Sequence, residues 1–376
     1  MEISCLCLLP NLVIMTSKKI VKRVLFSLLA IVISLLVIVA GYLVYLLIDY
    51  DRLEDKLPIA VKEGTTQTAK QNEEYSILTY NIGFCAYLPD FGFFMDGGKE
   101  SRAKSKESVN ATLKGINGLI AGFSPDFIML EEVDEKATRS YKINQRAYFE
   151  NAYSQYDSIY AQNYDSSYLF YPIFKPHGKS KSGMLTFSRY NLKNNAIRRS
   201  LPIENSLMKF FDLDRCYSVT RVEIEGGKEL VLFTAHLSAY TSDGKIADEQ
   251  IKVLMAEMQA EYQKGNYVIC GGDFNKDLLG KSEEYFGRSS AGQTWAQPFP
   301  IRFLEGSGFT LVSSYDADNP MPTCRNANGP YNEEQFVLNV DGFIVSANVE
   351  VSSCVVADGS FVYSDHNPVL MKFILK

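Results

Sequence analysis

Hydrophobic side chains are distributed in three different ways along this chain. Residues 24–48 contain no charged side chain, residues 57–74 are mostly polar, and from residue 75 short apolar runs alternate with amphipathic segments. Spacings of three and four residues between apolar side chains predict helices over 102–122 and 248–264. The apolar runs predict strands at 75–80, 127–130, 183–188, 267–270, 310–314, 337–345 and 369–374, with a hairpin formed by 215–225 and 229–234.

The order of these elements predicts an α/β fold. The strand at 75–80, the helix at 102–122 and the strand at 127–130 form a strand–helix–strand unit, which implies parallel pairing through a crossover. Strand-rich regions with interleaved helices then predict two sheets packed face to face, with helices on the outside.

The uncharged run at 24–48 predicts a membrane-spanning helix. At about 1.5 Å per residue it is roughly 37 Å long, and a bilayer core is about 30 Å thick. Basic side chains cluster before it, which predicts a cytoplasmic N-terminus and an extracytoplasmic C-terminal part. A cleaved secretory signal is the alternative, but the run is long for one and no A-x-A-like site follows. The predicted organisation is a basic cytoplasmic segment at 1–23, a signal anchor at 24–48, a flexible linker at 49–74 and a folded domain at 75–376.

Charge and cysteine content narrow the function classes. The net charge is −6; residues 1–23 carry four basic side chains and one acidic one, so the remainder carries −9. Such an acidic domain is repelled by polyanions unless a local basic groove or a metal compensates, which disfavours tight binding of duplex DNA. The five cysteines after residue 48 form no CxxC pair, and their odd number excludes a complete disulfide framework among them.

The first candidate for chemistry follows an apolar strand that ends in Gly271-Gly272-Asp273-Phe274-Asn275. The glycines allow a sharp turn and close approach of a ligand. Asp273 can then accept a proton from water, and Asn275 can donate to a phosphoryl oxygen. The alternative is an ordinary turn, which these residue types also favour.

A second candidate is the pair Asp341 and His366. His366 lies in Ser364-Asp365-His366-Asn367-Pro368, before the last predicted strand. A carboxylate partner would orient its imidazole and raise its pKa. Asp341, within an otherwise apolar strand, is costly to bury unless it is paired. The alternative for Asp341 is a surface position of an alternating strand.

Further polar residues lie where other predicted strands end. Glu131 and Glu132 follow the strand at 127–130, and adjacent strand residues point to opposite faces, so only one can enter a site. Magnesium needs few protein carboxylates, and Asn81 could orient that carboxylate or contact the metal. His236 could donate to phosphate, although a single strand-end histidine is more often structural. His177 is assigned no role.

Seven segments in this order resemble the endonuclease/exonuclease/phosphatase superfamily, which has the DNase I-like fold. The resemblance covers about residues 75–376. The segments are Leu78-Thr79-Tyr80-Asn81, Leu130-Glu131-Glu132-Val133, residues 182–190 (SGMLTFSRY), Thr234-Ala235-His236-Leu237, Gly272-Asp273-Phe274-Asn275, residues 340–346 (VDGFIVS) and Ser364-Asp365-His366.

The resemblance implies a four-layer sandwich with two mixed sheets and a catalytic domain that uses Mg²⁺, with Mn²⁺ as the other candidate. Glu132 would be the metal carboxylate with Asn81 beside it, although Glu131 stands where relatives often carry glutamine. Asp273 would activate water, Asp341 would hold His366, and Asp365 would support the site or a second metal. Asn275, His236 and His366 would stabilise the charge that develops on phosphorus.

These features predict a single-pass membrane phosphoesterase with an extracytoplasmic catalytic domain. A lipid headgroup or small phosphoester is favoured as substrate by the anchor, the acidic charge and the aromatic segment 84–99. The first alternative is a tethered nuclease that binds nucleic acid through Lys175, Lys179, Lys181 and Arg198-Arg199. The second is a binding module without activity. The expected partners are the substrate and the bilayer, and no protein partner is inferred.

Overall fold

The computed structural model describes residues 9–204, 207–210, 212–239, 245–293, 295 and 297–376. These residues divide into a helical unit that ends at Asp51 and a second unit, Arg52–Lys376. The first unit is the helix α1 (Leu9–Asp49). Its stretch Ser17–Asp49 contains an 18-residue window with a mean hydropathy of 3.0 and is long and apolar enough to cross a membrane. The helix therefore extends beyond the predicted 24–48 at its N-terminal side.

The second unit interleaves strands and short helices along its described residues. Its helices are α2 (Lys106–Phe123), α3 (Gln145–Ala152), α4 (Lys245–Gln263) and α5 (Ser282–Phe286). Its strands are β1 (Leu57–Pro58), β2 (Glu74–Asn81), β3 (Phe127–Asp134), β4 (Asp157–Asp165), β5 (Lys181–Ser188), β6 (Ile197–Ser200), β7 (Cys216–Glu223), β8 (Glu229–His236), β9 (Tyr267–Asp273), β10 (Phe309–Val312), β11 (Cys324–Arg325), β12 (Val337–Leu338), β13 (Asp341–Ser346), β14 (Val349–Val356) and β15 (Val369–Leu375).

Two large mixed sheets organise these strands. One has the order β1-β6-β7-β8-β9-β13-β10, the other has the order β14-β15-β2-β3-β5-β4, and β11 pairs separately with β12. Each large sheet contains one parallel pair, β8 with β9 and β2 with β3, and both pairs lie next to antiparallel neighbours. The carboxyl ends of these two central pairs carry most of the polar residues singled out by sequence.

Three apolar clusters give the layers of the sandwich. One joins the facing sides of the two sheets and includes Met129, Ile269 and Phe343. A second packs α2 and α3 against the outer face of the β2–β3 sheet, and a third packs α4 against the outer face of the β8–β9 sheet. This is the predicted four-layer α/β sandwich, with helices outside two mixed sheets.

Most predicted elements are confirmed, and the differences have local causes. The predicted helix at 102–122 begins at Lys106 because Ser105 caps it, exchanging hydrogen bonds with Ser108. The predicted strand at 337–345 is divided into β12 and β13. Between them, the side chain of Asn339 bonds to Ser314 O and Thr323 N, which ends the ladder.

The structure differs from the expected flexible linker at 49–74. Leu57–Pro58 pairs with β6, Lys62 exchanges backbone hydrogen bonds with Ser158, and Ala69 is fully buried. The backbone amide of Gly64 donates to Asp157 Oδ1 at 2.7 Å. These backbone contacts hold the segment against the rest of the second unit. It lacks the regular spacing of apolar residues that predicts a helix or a strand.

The five cysteines of the second unit are all free. Cys85, Cys216, Cys270 and Cys324 are buried, and Cys354 is partly buried. Burial raises the pKa of Cys216 to about 11 and that of Cys324 and Cys354 to about 12. The buried cysteines of the described residues therefore serve mainly as small apolar side chains.

Gly272 at the end of β9 provides a test of the fold next to the site. Its φ is +142°, and an added Cβ would lie 1.9 Å from the carbonyl oxygen of Ala235 on β8. We expect Gly272→Ala to lower the free energy of unfolding by about 3 kcal/mol or more, measured by denaturant titration. Gly118→Ala on α2, where an added Cβ meets nothing within 4 Å, is the control and should be neutral or slightly stabilising. Equal stability of the two variants would contradict the argument.

Candidate active site

Six polar side chains meet where the central strands of both sheets end. Asn81 ends β2, His236 ends β8, Asp273 ends β9 and Asp341 begins β13. Glu132 lies near the end of β3, and His366 precedes β15. Strands that run parallel deliver their carboxyl ends to one edge, and the two sheets face each other, so these residues converge from distant parts of the sequence.

A β-bulge near the end of β3 decides between the two neighbouring glutamates. The register with β5 shifts between Leu130 and Val133, and Glu132 has a φ of +57°. Glu132 lines a large cavity at these strand ends. Glu131 is instead fully buried, and its Oε1 accepts from Thr79 Oγ1 at 3.1 Å. The structure therefore brings Glu132, and not Glu131, into the candidate site.

Asn81 connects the carboxylates of the two sheets. Its Nδ2 donates to Asp273 Oδ2 at 3.0 Å and to Glu132 Oε1 at 3.3 Å. Its Oδ1 accepts from the backbone amide of Gly83 at 3.0 Å, which fixes the orientation of the amide. In this arrangement Asn81 holds the two acids through its N–H group, and its oxygen is already engaged.

His366 and Asp341 form a buried pair. His366 Nδ1 donates to Asp341 Oδ2 at 2.8 Å, and its Nε2 lies 3.9 Å from Asp273 Oδ2. Burial disfavours the charged imidazolium, but the Asp341 carboxylate outweighs it and holds the pKa of His366 well above its ordinary value. Asp341 is fully buried, so the alternative of a surface position does not hold.

The other predicted site residues lie in the same cavity as His366. His236 Nε2 lies 3.5 Å from Asp273 Oδ2, and burial lowers the pKa of His236 well below its usual value. Asn275 has a φ of +49° and donates its side-chain amide to Leu237 O at 2.9 Å. Asp365 accepts from Ser364 Oγ at 3.3 Å. All three line the same cavity as Glu132 and His366.

The cavity, of about 930 Å³, also contains residues that the sequence did not single out. Arg139 lies near Glu132, bonds Asp134 through two nitrogens and stacks 3.9 Å from the centre of the Phe84 ring. Cys324 Sγ lies 3.6 Å from His366 Nε2. His177 lines the cavity as well, with Nδ1 2.8 Å from Ser101 O. Arg139 and His177 lie in loops, Cys324 begins the two-residue strand β11, and none of the three belongs to a recognisable sequence pattern.

The carboxylates fit an oxygen-binding divalent cation. Burial raises the pKa of Glu132 to about 7, with Arg139 opposing the rise, and raises the pKa of Asp273 to about 6. It also raises the pKa of Asp365. Three acids in one buried site are costly to ionise together, and a hard cation would favour their charged forms. Asp273, Asp341 and His366 also lie within ligand distance of one another, but the His366 Nδ1 proton already bonds Asp341.

The family of this chain follows from a match over most of its length. The family model described as Endonuclease/Exonuclease/phosphatase family matches residues 78–366. The chain therefore belongs to the endonuclease/exonuclease/phosphatase family, whose members are hydrolases that act on phosphoesters. No curated protein matches the chain.

Solved structures share the fold at low sequence identity. An endonuclease/exonuclease/phosphatase from Beutenbergia cavernae superposes with a TM-score of 0.57 and 16% identity, over 80% of this chain and 72% of the other. ANGEL2, a 2',3'-cyclic phosphatase in complex with adenosine-2',3'-vanadate, gives 0.54 and 17%, over 81% and 96%. The human Nocturnin catalytic domain with bound sulfate gives 0.50 and 17%, over 81% and 94%. These likenesses confirm the DNase I-like fold.

The three histidines can be distinguished by their charge. We expect His366 to be protonated at pH 7 because Asp341 stabilises the imidazolium, whereas burial keeps His236 and His177 neutral. NMR of the full chain with labelled histidine, in detergent with a chelator present, would follow three imidazole signals. Asp341→Asn should lower the titration midpoint of His366. An unchanged midpoint would show that the pair does not set the charge.

The burial of His177 predicts a dependence of stability on pH. Burial lowers its pKa to about 3 from an unfolded value near 6.5, so the unfolded chain binds the proton more tightly. The stabilisation is complete above about pH 6.5 and is lost as pH falls towards 3, by up to about 1.4 kcal/mol per pH unit. Denaturant titrations between pH 7 and 4 should show that the free energy of unfolding changes less with pH in His177→Asn than in the unmodified chain. The same pH dependence of the free energy of unfolding in both proteins would contradict this prediction.

Proposed function

We propose that this chain is a membrane-anchored, metal-dependent phosphoester hydrolase. The observation that carries the proposal is the convergence of Glu132, Asn81, Asp273, His366 and His236 in one cavity. These groups can bind a cation, activate water and stabilise negative charge on phosphorus, which are the requirements of this reaction. The membership in a family of phosphoester hydrolases supports the same reaction.

Asp273 is the proposed acceptor of the water proton. Its raised pKa, about 6, still leaves it ionised at neutral pH, and Asn81 fixes one of its oxygens. The water oxygen attacks phosphorus, its proton passes to Asp273, and the ester P–O bond breaks. The Nε2 atoms of His236 and His366 lie 3.5 Å and 3.9 Å from Asp273 Oδ2 and would donate to phosphoryl oxygens, with Asp341 holding the His366 ring.

Glu132 is the carboxylate that would hold Mg²⁺ or Mn²⁺, with Asn81 beside it and Asp365 in support. Such a cation neutralises charge that develops on the phosphoryl group. Because Asn81 Oδ1 accepts from Gly83, we propose that Asn81 orients Glu132 and Asp273 through its N–H group.

A lipid headgroup or another small phosphoester is the proposed substrate class. The cavity wall contains Phe84, Tyr87 and Phe93, and the protein outside residues 1–23 is acidic. A basic groove for duplex DNA is not supported at Arg198 and Arg199. Arg198 is buried and bonds Gln162 O and Asp214 O, and Arg199 is paired with Asp55 and Glu257.

A nucleotide phosphoester is the second candidate substrate. The fold is shared with a 2',3'-cyclic phosphatase that has been solved with adenosine-2',3'-vanadate. Lys175 and Lys179 are exposed, while Lys181 is paired with Glu135. Nucleoside cyclic phosphates and single-stranded DNA therefore belong in the same substrate screen. The anchor would place the catalytic domain outside the cytoplasm according to the lysine and arginine bias before residue 24.

The test is a phosphoester screen with the full chain in detergent, after removal of metals with a chelator. We expect hydrolysis to return when Mg²⁺ or Mn²⁺ is added. Asp273→Asn should lower kcat by roughly 10²–10⁴-fold because the proton acceptor is lost. Glu132→Gln should raise the cation concentration that gives half-maximal activity, because a charged ligand is lost.

Glu284→Gln is the matched control, since Glu284 is an exposed acid on α5 with a side chain 69% exposed. It should leave both kcat and the cation dependence unchanged. Cation-independent hydrolysis, or full activity in Asp273→Asn, would refute the proposal. Saturable binding of a phosphoester without turnover would instead favour the inactive binding module.

A further inference from the structure

The loop between β4 and β5 exposes a nearly continuous run of large apolar side chains. Phe170 is 58% exposed, Tyr171 is 66%, Ile173 is 79% and Phe174 is fully exposed. Isolated apolar side chains are common on protein surfaces, but a run of this kind marks a surface that contacts another apolar phase. We name these four residues, together with the exposed Met95 of the neighbouring segment, the apolar rim.

The base of this loop is held firmly, so the exposure of the apolar rim is built into the fold. His177 is buried and its Nδ1 lies 2.8 Å from Ser101 O. Arg102 Nε donates to Pro176 O, and Ser101 Oγ donates to Lys175 O. The backbone amide of His177 also donates to Tyr171 O. The anchored backbone therefore keeps the apolar side chains of this loop on the surface.

The apolar rim borders the mouth of the active-site cavity. The ring of Tyr171 lies 5.6 Å from the ring of Phe94, whose own ring lies 5.8 Å from that of His177. Met95 and His177 line the cavity that contains Glu132 and His366. Whatever covers the apolar rim therefore lies beside the entrance to the candidate site.

The loop that carries Phe170 to Phe174 continues with basic residues, whereas the acidic Asp96 follows Met95 in the neighbouring segment. Lys175 directly follows Phe174, and Lys179 is exposed two residues after His177. Aromatic side chains combined with lysine suit the headgroup region of a bilayer, where rings enter the interface and ammonium groups meet lipid phosphates. The interior of a protein–protein interface, by comparison, is depleted in lysine.

We propose that the apolar rim inserts into the interfacial layer of a lipid bilayer. A bilayer is the chosen occupant because the same chain carries α1, whose stretch Ser17–Asp49 is apolar and long enough to span one. The second unit starts at Arg52, so few residues separate it from the end of that helix. This inference does not require catalysis. If the proposed function holds as well, the apolar rim lets a lipid phosphoester enter the cavity without leaving the membrane.

Depth-dependent quenching tests the insertion directly. The chain has a single tryptophan, Trp295, so Phe174→Trp adds one new emission to a known background. In full chain reconstituted into bilayers with brominated acyl chains, we expect this added emission to be blue-shifted and quenched by roughly half, as for a ring at interfacial depth. Val355→Trp is the control, because Val355 is 47% exposed on β14, at the opposite edge of the same sheet from β4. Its added emission should stay unquenched.

Equal quenching of the two added tryptophans, or none at position 174, would overturn the inference. A blue shift at position 174 that grows with protein density but is not quenched by bromolipid would identify a second copy of the chain as the occupant, and would also overturn it. These outcomes do not depend on any enzymatic activity, so they remain decisive if the proposed function fails.

A second measurement connects the apolar rim to substrate access. In Ile173→Asp/Phe174→Asp, hydrolysis of a phosphoester embedded in a bilayer should fall roughly tenfold, because two charges replace apolar contacts with the interface. Hydrolysis of a soluble phosphoester should be unchanged, and Val355→Asp should affect neither. Equal losses on both substrates would show that the loop acts on the folded site itself, and would overturn the inference.

Discussion

The arrangement of the site depends on one electrostatic constraint, which is the pairing of two buried carboxylates across neighbouring strands. Asp273 and Asp341 lie directly opposite each other in the β9–β13 ladder. Like charges in this position repel each other, and burial strengthens the repulsion. The His366 ring lies between them in contact distance, since its Nδ1 bonds Asp341 at 2.8 Å and its Nε2 lies 3.9 Å from Asp273, and a protonated ring would offset the repulsion. The segment before β15 must therefore reach the end of β9, which couples the two sheets.

Positive backbone φ values occur at three positions where chemistry is proposed, as well as at several positions away from the site. Glu132 and Asn275 adopt positive φ values of +57° and +49°, and Gly272 at the end of β9 has a φ of +142°. Residues with side chains pay a conformational cost for such backbone, and the surrounding ladders hold them there. The strands that carry these residues are regular until their last few residues. The sheets thus fix the position of the site, and the irregular strand ends set the direction of its side chains.

The order of apolar runs and amphipathic segments predicted two sheets packed face to face, and the resemblance to the superfamily predicted the four layers and the convergence of the site residues. Apolar runs identified β2, β3, β9 and β15, and polar residues at strand ends identified Asp273 and His366. The sequence did not predict the bulge that brings Glu132 to the cavity, since the shift in register depends on pairing with β5. Arg139, in a loop, and Cys324, at the start of the short strand β11, were missed because no local pattern indicates which distant residues they approach. The ordered segment after Arg52 was missed because backbone contacts hold much of it, and the apolar side chains that pack, Ile59, Val61 and Ala69, show no helical or strand periodicity.

The free cysteines have a consequence for where such a domain can fold. Disulfide exchange needs an accessible thiolate, and burial both raises the pKa of these thiols and shields them. The second unit is held by its three apolar layers and requires no covalent cross-link between its cysteines. The fold of the second unit therefore does not depend on an oxidising environment for cysteine pairing.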